Sequence, residues 1–528
     1  MKKFFQYFAA ATVLFSAVSC KKYLDLEVEN PNRINEVVFW KTSEDAVAGV
    51  NAIYGNFYRN GAPYSRWLPF YMDARSDDGY STSGWNELRS VSGLNITQYN
   101  FEVNYDTWSH HWRGVYRANQ VITYVPNIQM DEALKARLLG EAKFLRAVYY
   151  YNLVSIWGNI PLILQPSEPT DKPGQAPMAQ VWDQIEKDLT EAAAALPLSY
   201  TGDNIGRATK GAAYGYLGRA HMQQREWQRA ADALAWLVTG PGAALYSLVP
   251  NYHDNFKHTT ENNPESVFEV QFKMRPENTG EDAPTSNVGT SRAPFFAPPG
   301  HGFTDANMHR WVLNEFHQER TTTGERDPRL AITALYDSSD VRGPDFTQVY
   351  GSSFTSKNYD ANIRNRVWYR KYLDDYFRIN QFEVFNSPIN FRALRYADVL
   401  LLYAEALNNL NQTNSAMQYV NRVRQRAGLR TLEQLRPGGF TKEQFQAQLE
   451  HERITELTGE SVRWNDLARW GYFEDAAKLA LLKARDPEFN NFQMNRNRFM
   501  PIPQREIDIN PNMQQNPNWK HTHFIKVP

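Results

Sequence analysis

The segment 391–428 constrains the fold of this 528-residue chain more than any other stretch. Its first half is apolar on nearly every side, with two stripes of residues that step by three or four positions. These stripes are Leu394, Ala397, Leu401 and Ala404, and Tyr396, Leu400, Tyr403 and Leu407. Two stripes predict a helix buried against two neighbours. A polar break at 411–414 follows, in which Asn414 can cap a second helix, and Gly428 supplies a left-handed stop. We therefore predict a helical hairpin from 391–410 and 414–427.

A second segment repeats this pattern upstream. When 214–238 is laid over 400–424, small residues coincide with small ones and branched residues with branched ones. The matches are Ala220 with Ala406, Ala230 with Ala416, Leu234 with Val420 and Leu237 with Val423. Small residues at matched places let two helices approach closely, as in a tetratricopeptide unit. The alternative is the ordinary composition of any helical hairpin. The pattern favours a repeated scaffold.

The same region resembles a known family. FRALRYADVLLLYAEALN, followed by YVNRVRQRAGL, resembles the C-terminal signature of the SusD/RagB family, surface nutrient-binding lipoproteins of Bacteroidetes glycan-uptake systems. EAKFLRAVYYYNLVSIWGNIPLI and ERITELTGESVRWNDLARWG resemble further family segments, as do the sequences at 501–503 and 510–512. Ser461 stands where the family usually has Gly. The resemblance covers nearly the whole chain after residue 20, with the motifs in the family's order.

The first 35 residues resemble the start of a bacterial lipoprotein. Lys2 and Lys3 precede an apolar run that is too short for an ordinary spanning helix, and the run ends at Cys20, the single cysteine of the chain. Ala17 stands where such signals usually have Leu. We expect a signal peptide at 1–19, lipidation of Cys20 and a tether at 20–35, against an ordinary secreted protein with an incidental cysteine. The remainder, 36–528, is expected to be one domain with parts at about 36–240 and 241–528.

The rest of the sequence predicts a mostly α fold. We expect about four tetratricopeptide-like hairpins, with a loop-rich part carrying short strands packed on one side. Ser43 is expected to cap the first helix, and Thr441 to cap a later one with Gln444 in capping-box position. Strands are predicted in 264–272 and 367–372, and a short helix over 307–316. The predicted hairpins pair 44–59 with 108–126, 132–157 with 178–197, 207–224 with 226–239, and 391–410 with 414–427.

The composition excludes several classes of site. The 57 basic and 58 acidic residues give a net charge of −1, so the chain has no basic field for nucleic acid. One cysteine allows neither an internal disulfide nor a thiolate metal cluster. Nucleophile-elbow, zinc-protease and phosphate-loop motifs are absent from the sequence, and no cofactor or metal is expected. Paired carboxylates for glycoside hydrolysis stay open because their separation is spatial.

Three polar groups look functional but are better explained by structure. His110 and His111 are interpreted as structural histidines of an aromatic helix. The aspartates of 73–78 do not have the ligand spacing of a calcium loop when Gly79 takes the glycine position, although a calcium ion is not excluded. Arg463 and Asp466 are interpreted as an ion pair between residues three apart on a helix.

Two loops carry the residue types that sugars require. Sugar recognition needs flat apolar platforms for ring faces and planar polar groups for hydroxyls. Both 62–104 and 275–304 lack a regular period and combine aromatic with polar residues. In the family, such loops commonly supply the binding aromatics, with Trp85 and Phe303 as the counterparts here. The alternative is that the aromatics pack the loops down. The candidate ligand-binding residues are Asp78, Tyr80, Trp85, Asn86, Phe296 and Phe303.

The resemblance implies a function. It predicts a non-enzymatic lipoprotein, anchored in the outer membrane and facing outward, that captures an oligosaccharide. It also implies a partner, a SusC-like TonB-dependent transporter that receives the ligand. Alternatives are the same architecture binding peptides, a scaffold that binds only protein, and a glycoside hydrolase. The sequence does not identify the glycan.

Overall fold

The computed structural model describes residues 39–519 except 59–60, 169, 275–287, 338–347, 354–356, 358, 379–381, 384 and 518. The predicted signal peptide, Cys20 and tether lie outside the described residues. Within them the fold is mostly α, as predicted.

Eight helices form the scaffold. Each helix packs against the next one along the chain, and the sixth packs against the seventh although residues 239–395 separate them. This arrangement confirms a stack of four helical hairpins. The helices are α1 (Ser43–Gly55), α2 (Glu102–Tyr124), α3 (Glu132–Trp157), α4 (Met178–Ala195), α5 (Lys210–Gln223), α6 (Trp227–Val238), α7 (Tyr396–Asn409) and α8 (Thr413–Arg426).

Helix α9 (Lys442–Leu457) packs on α7 and α8 and begins with the predicted capping box. The Thr441 side chain accepts from the backbone N–H of Gln444, and the Gln444 side chain accepts from the N–H of Thr441. Shorter helices join the elements of the loop-rich part. They are Leu68–Met72, Asn86–Ser92, Arg292–Phe296, Arg310–His317, Arg329–Thr333, Ala361–Arg364, Leu432–Leu435, Arg463–Arg469, Ala476–Arg485 and Gln504–Ile509.

Short antiparallel strands organise the loop-rich part. The strands are β1 (Gly79–Tyr80), β2 (Ile160–Pro161), β3 (Gln175–Ala176), β4 (Ser266–Val270), β5 (Asn307–Met308), β6 (Ala334–Tyr336), β7 (Gln348–Val349), β8 (Ser352–Ser353), β9 (Val367–Tyr369) and β10 (Phe391–Arg395). One sheet has the order β1–β5–β9–β6, and three two-stranded sheets pair β4 with β10, β2 with β3, and β7 with β8. The strands predicted in 264–272 and 367–372 are confirmed as β4 and β9, each shorter than predicted.

The structure corrects the start of the fourth hairpin. Residues 391–395 are strand β10 rather than helix, and Phe391 lies opposite Val270 of β4. Arg395 has extended backbone angles, φ −106° and ψ 154°, and the helix begins at Tyr396. All five strand residues are buried. A short strand that is buried on both faces shows no regular alternation of apolar and polar residues. The three-residue spacing of Leu394 and Ala397 therefore resembles a helix, although Leu394 lies in the strand and Ala397 in the helix.

Several helix ends were predicted to within one or two residues, but α1 ends at Gly55 rather than 59, α2 begins at Glu102 rather than 108, and α5 begins at Lys210 rather than 207. Thr42, not Ser43, caps α1, in a capping box with Asp45. Asn414 lies inside α8, which begins at Thr413 without a side-chain cap. Gly428 has the predicted left-handed conformation, with φ 74°. The helix expected over 307–316 begins later, at Arg310, because 307–308 pair in the sheet as β5.

Candidate functional site

Strand pairing closes the two candidate loops against each other. Tyr80 of β1 lies opposite Asn307 of β5, so the chain after β1 runs beside the chain before β5. The Ser81 hydroxyl donates to the Asp305 carbonyl oxygen at 2.6 Å. Thr82 Oγ1 lies 2.9 Å from the Thr304 carbonyl oxygen. These bonds bring the segment that leads to Trp85 next to Phe303.

Aromatic side chains that are fully or partly exposed gather where the loops meet. Trp85 is half-buried, whereas Phe303 and Phe382 are 46% and 47% exposed. Phe382 contacts Phe303 edge-on, with ring centroids 5.5 Å apart. We call Trp85, Phe303 and Phe382 the aromatic platform. Large apolar side chains are normally buried, and a group of them at the surface indicates an interaction site.

The platform rests on two buried rings. Trp85 contacts Trp67 edge-on at 5.5 Å, and Phe303 stacks on Phe295 at 5.7 Å. Trp67 and Phe295 lie 6.2 Å apart and are almost fully buried. Trp85 and Phe303 are therefore joined through this shared base by three ring contacts, with Trp67 and Phe295 between them.

A buried arginine stiffens the base. The Arg66 guanidinium lies 4.0 Å from the ring centroids of both Trp67 and Phe295, and 5.6 Å from that of Trp85. A guanidinium over aromatic faces is attracted by their quadrupoles, more strongly when it is desolvated. The rings of the aromatic platform therefore pack against buried side chains that are already fixed in position.

Two other candidate residues lie at the edge of this surface. Asn86 is exposed and begins the helix Asn86–Ser92, where its Oδ1 accepts from Arg89 at 3.2 Å. Tyr80 is half-buried, with its ring 4.7 Å from that of His309. Both can reach solvent and could contact a ligand.

The structure does not bring Asp78 or Phe296 to the surface. Asp78 is fully buried and accepts from the Ser76 hydroxyl. Burial and the neighbouring carboxylates of Asp73 and Asp77 raise its pKa well above the ordinary value. Phe296 is also buried, 5.5 Å from Phe70 and 5.8 Å from Tyr369. We remove both from the candidate contacts, because neither has a surface that a ligand could reach.

Phe382 was missed by sequence reasoning. It lies in a stretch without a regular period, well separated along the chain from both candidate loops. Its neighbour Phe385 packs 5.6 Å from Phe295, which draws this third segment to the site. The sequence signal is the pair of phenylalanines itself, two aromatic residues three positions apart in a segment without a regular period.

The polar groups considered for chemistry are engaged in structural contacts. Asp73 accepts from the backbone N–H of Ser461 at 2.9 Å. Arg463 pairs with Asp77 at 2.7 Å and not with Asp466, so the ion pair predicted three residues apart is wrong. Asp466 instead pairs with Arg453, at 2.7 Å. The contacts of Asp73 with Ser461 and of Asp77 with Arg463 join segments 388 and 386 positions apart, which local spacing does not reveal.

The described histidines fit structural roles as well. His111 is buried, its Nδ1 lies 2.6 Å from the Thr107 carbonyl oxygen, and burial lowers its pKa to about 4. Two clusters place a histidine between carboxylates that could hold a metal ion. In each, an arginine occupies the carboxylates: Arg229 lies 2.8 Å from Glu226, and Arg424 2.6 Å from Glu319. In each cluster one guanidinium already compensates part of the charge that a cation would neutralise.

Comparisons with known proteins place the chain in a family. The model of the SusD family matches residues 264–519, and the model described as "Starch-binding associating with outer membrane" matches residues 22–222. Among curated proteins, the SusD-like protein P25 of Formosa agariphila is 26% identical over 524 residues, which is 94% of this chain and 95% of that protein.

Solved structures of SusD-like proteins have the same fold as this chain. A SusD superfamily protein from Bacteroides vulgatus superposes with a TM-score of 0.79 at 26% identity, covering 91% of this chain and all of that one. A laminarin-binding SusD-like protein gives a TM-score of 0.72 at 26% identity and covers 90% of this chain and all of that one. In the part of the chain that the structure describes, none of the helices has the length and apolar character needed to cross a membrane. The chain belongs to the SusD family of glycan-binding proteins that associate with the outer membrane.

Proposed function

We propose that this protein captures an oligosaccharide at the cell surface by stacking sugar rings on the aromatic platform. The observation that carries the proposal is the grouping of two exposed phenylalanines and a half-buried tryptophan, from three separate segments, over one buried base. Pyranose rings present flat C–H faces that pack on such rings, and Trp gives the largest of them. The capture is non-covalent.

The polar edge supplies the complementary contacts. Asn86 offers a planar amide with two donors and an acceptor for sugar hydroxyls, and the Tyr80 hydroxyl can donate or accept. Because Trp67, Phe295 and Arg66 hold the platform in place, little side-chain freedom remains to be lost on binding. Preorganisation of this kind suits a receptor that must bind a dilute ligand.

Membership of the SusD family supports a location at the outer membrane. We infer that Cys20 carries a lipid that anchors the protein in the outer membrane, facing the exterior. We infer further that the bound oligosaccharide passes to a SusC-like TonB-dependent transporter. The laminarin-binding relative supports a glycan over a peptide as ligand. We propose no catalytic step.

Substitution of the platform tests this function. A calorimetric screen against a glycan panel should identify a saturating ligand. Trp85→Ala should then weaken its binding about thirtyfold, equivalent to about 2 kcal/mol, because a stacking aromatic at the centre of a site carries much of the affinity. Phe303→Ala should weaken it too, with a non-additive double variant because both rings share one base. The melting temperature of Trp85→Ala should change little.

A half-buried tryptophan elsewhere provides the control. Trp236 stacks on Tyr214 in the third hairpin, with ring centroids 4.7 Å apart. Trp236→Ala should lower the melting temperature and leave the glycan affinity unchanged. If Trp85→Ala lowers the melting temperature by many degrees and retains affinity, Trp85 is a packing residue and the proposal fails. Ligand length should be unchanged after incubation with the purified protein, and any shortening would indicate hydrolysis.

A further inference from the structure

Two arginines flank Tyr80 at the edge of the candidate site. Arg366 Nη1 donates to Thr82 Oγ1 at 3.1 Å, and Arg310 Nη1 donates to the Asn365 carbonyl oxygen at 3.1 Å. Arg366 is half-buried and Arg310 is exposed. Asn365 directly precedes Arg366, so one short segment positions both guanidinium groups.

Neither arginine forms an ion pair with any residue in the part of the chain that the structure describes. No carboxylate of the described residues lies within the 4.0 Å ion-pair distance of either one. By contrast, Arg364, two residues away on the same segment, does form an ion pair, with Asp337 at 3.4 Å. Burial raises the pKa of Tyr80, while the positive charges of Arg366 and Arg310 oppose that rise, which agrees with their position beside the Tyr80 hydroxyl.

The arginines adjoin the aromatic platform through Thr82. This hydroxyl, which Arg366 contacts, also lies at the junction with Thr304, and Thr304 directly follows Phe303. Trp85 lies three residues after Thr82. A ligand stacked on Trp85 and Phe303 would therefore extend towards the two guanidinium groups.

We propose that Arg310 and Arg366 form a subsite for an anionic substituent, so that the preferred ligand is an acidic oligosaccharide carrying carboxylate or sulfate groups. The inference rests on the proposed function, since it assigns the ligand class of the same site. A guanidinium presents a planar fork of N–H donors that matches carboxylate and sulfate oxygens, and the bonds are charge-assisted. The carbonyl and hydroxyl that hold the arginines fix their positions without neutralising them.

Three oligosaccharides of equal length test the subsite: tetragalacturonic acid, a sulfated carrageenan tetrasaccharide, and neutral laminaritetraose. At low salt, at least one acidic probe should bind about tenfold more tightly than the neutral one, and the difference should shrink at high salt because ions screen exposed charges. Comparing the affinities of the galacturonic acid and carrageenan probes shows whether the subsite prefers carboxylate or sulfate. Binding of both acidic probes that is no tighter than that of laminaritetraose overturns the inference.

Charge-removing variants localise the effect. Arg310→Gln and Arg366→Gln should each weaken the preferred acidic probe about tenfold, and each should weaken laminaritetraose by a clearly smaller factor. Arg366→Lys keeps the charge and should restore part of the loss. Arg364→Gln removes the same charge from the same segment and should change nothing. Equal losses in all three Gln variants would indicate general electrostatics and overturn the assignment.

Failure of this inference and failure of the proposed function are distinguishable. If neutral glycans from the wider panel bind in a Trp85-dependent manner while acidic probes have no advantage, the platform stands and the anionic subsite does not. If ligands bind the arginines independently of Trp85, the acidic site exists but the platform assignment is wrong.

Discussion

Ser461 illustrates how a single residue departs from the family pattern and stays compatible with the fold. It has the left-handed φ of 62°, a conformation that a side chain makes costly and that explains why relatives use Gly. Its backbone N–H and its hydroxyl both donate to the Asp73 carboxylate, at 2.9 Å and 3.1 Å. The hydroxyl bond offsets the strain.

Two substitutions separate these effects. Ser461→Ala keeps the strain and loses the hydroxyl bond, so the free energy of unfolding should fall by about 1 kcal/mol. Ser461→Gly loses the same bond but removes the strain, worth about 1 kcal/mol, and should stay close to the parent protein. Urea denaturation measures both. If the Gly variant is as unstable as the Ala variant, the left-handed conformation costs nothing here.

A buried carboxyl pair lies under the segment that carries Phe382. Glu383 accepts from the backbone N–H of Asp374 at 3.0 Å and from the Tyr350 hydroxyl. Asp374 accepts from Ser387 at 2.6 Å and from Arg378 at 2.8 Å. Burial raises the pKa of Asp374 to about 6. Burial and the charge of Asp374 raise that of Glu383 well above its usual range.

The two raised pKa values predict that the protein loses stability as the pH rises from acidic to slightly alkaline values. Both folded pKa values lie above the unfolded ones, so between about pH 4 and the folded values the native state binds more protons and its stability falls as pH rises. The melting temperature should therefore drop between pH 5 and pH 8. Glu383→Gln, which cannot ionise, should reduce that drop. An unchanged pH dependence in this variant would show that ionisation of Glu383 does not cause the drop.

The exposure of candidate residues could be predicted only in part from the sequence. Trp85, Asn86 and Phe303 occur in polar, irregular segments, and those segments do reach the surface. Asp78 and Phe296 occur in equally irregular segments yet are buried. The difference is set by neighbours from distant segments, such as Tyr369 against Phe296, and local composition carries no record of them.

At the scale of elements, the scaffold helices were predictable and the short strands partly so. Long amphipathic helices repeat their period often enough to be recognised, and caps such as Thr441 mark their ends. Strand β10 has five residues and adjoins a helix directly. Its identity comes from pairing with β4, more than a hundred residues earlier, which a local pattern does not show.

Close helix contact makes Gly114 a sensitive position. Gly114 in α2 faces Tyr149 in α3, and a Cβ there would overlap the Tyr149 ring. The Tyr149 hydroxyl donates to the Ile53 carbonyl oxygen of α1 at 3.1 Å, so the ring links three helices. We expect Gly114→Ala to lower the free energy of unfolding by about 1–3 kcal/mol, despite the better helix propensity of Ala.

Gly55 provides the matched control for this substitution. It is the last residue of α1, and no atom would lie within 4 Å of an added Cβ. Gly55→Ala should be neutral or slightly stabilising. Equal effects of the two substitutions on the urea midpoint would show that Tyr149 can move aside and that α2 and α3 are not in close contact there.

At the scale of the whole molecule, buried ion pairs join the helical scaffold to the loop-rich part. Arg395 of β10 donates to Glu456 at 3.0 Å, to Glu460 at 2.7 Å, and to Glu265 just before β4. Arg463 likewise reaches Asp77, 386 positions away in sequence. The near balance of 57 basic and 58 acidic residues reveals none of these pairings, because partners separated by 61 to 386 positions meet only once the chain has folded.

Arg395→Met leaves Glu265, Glu456 and Glu460 buried with less compensating charge, and should lower the free energy of unfolding by about 3–5 kcal/mol. Burial opposes ionisation of Glu456, but Arg426, Arg395 and Arg329 outweigh it and hold its pKa at about 2. Such a depressed pKa contributes stability above the unfolded value near pH 4.5, which is lost as pH falls towards 2. Removing Arg395 raises that pKa, so at pH 5 the variant can relieve its excess negative charge by binding protons. The deficit should be smaller at pH 5 than at pH 8, and Arg430→Met, at an exposed arginine, should show none at either pH. An equal deficit at both pH values would mean that lost packing, and not unpaired charge, separates the variant from its parent.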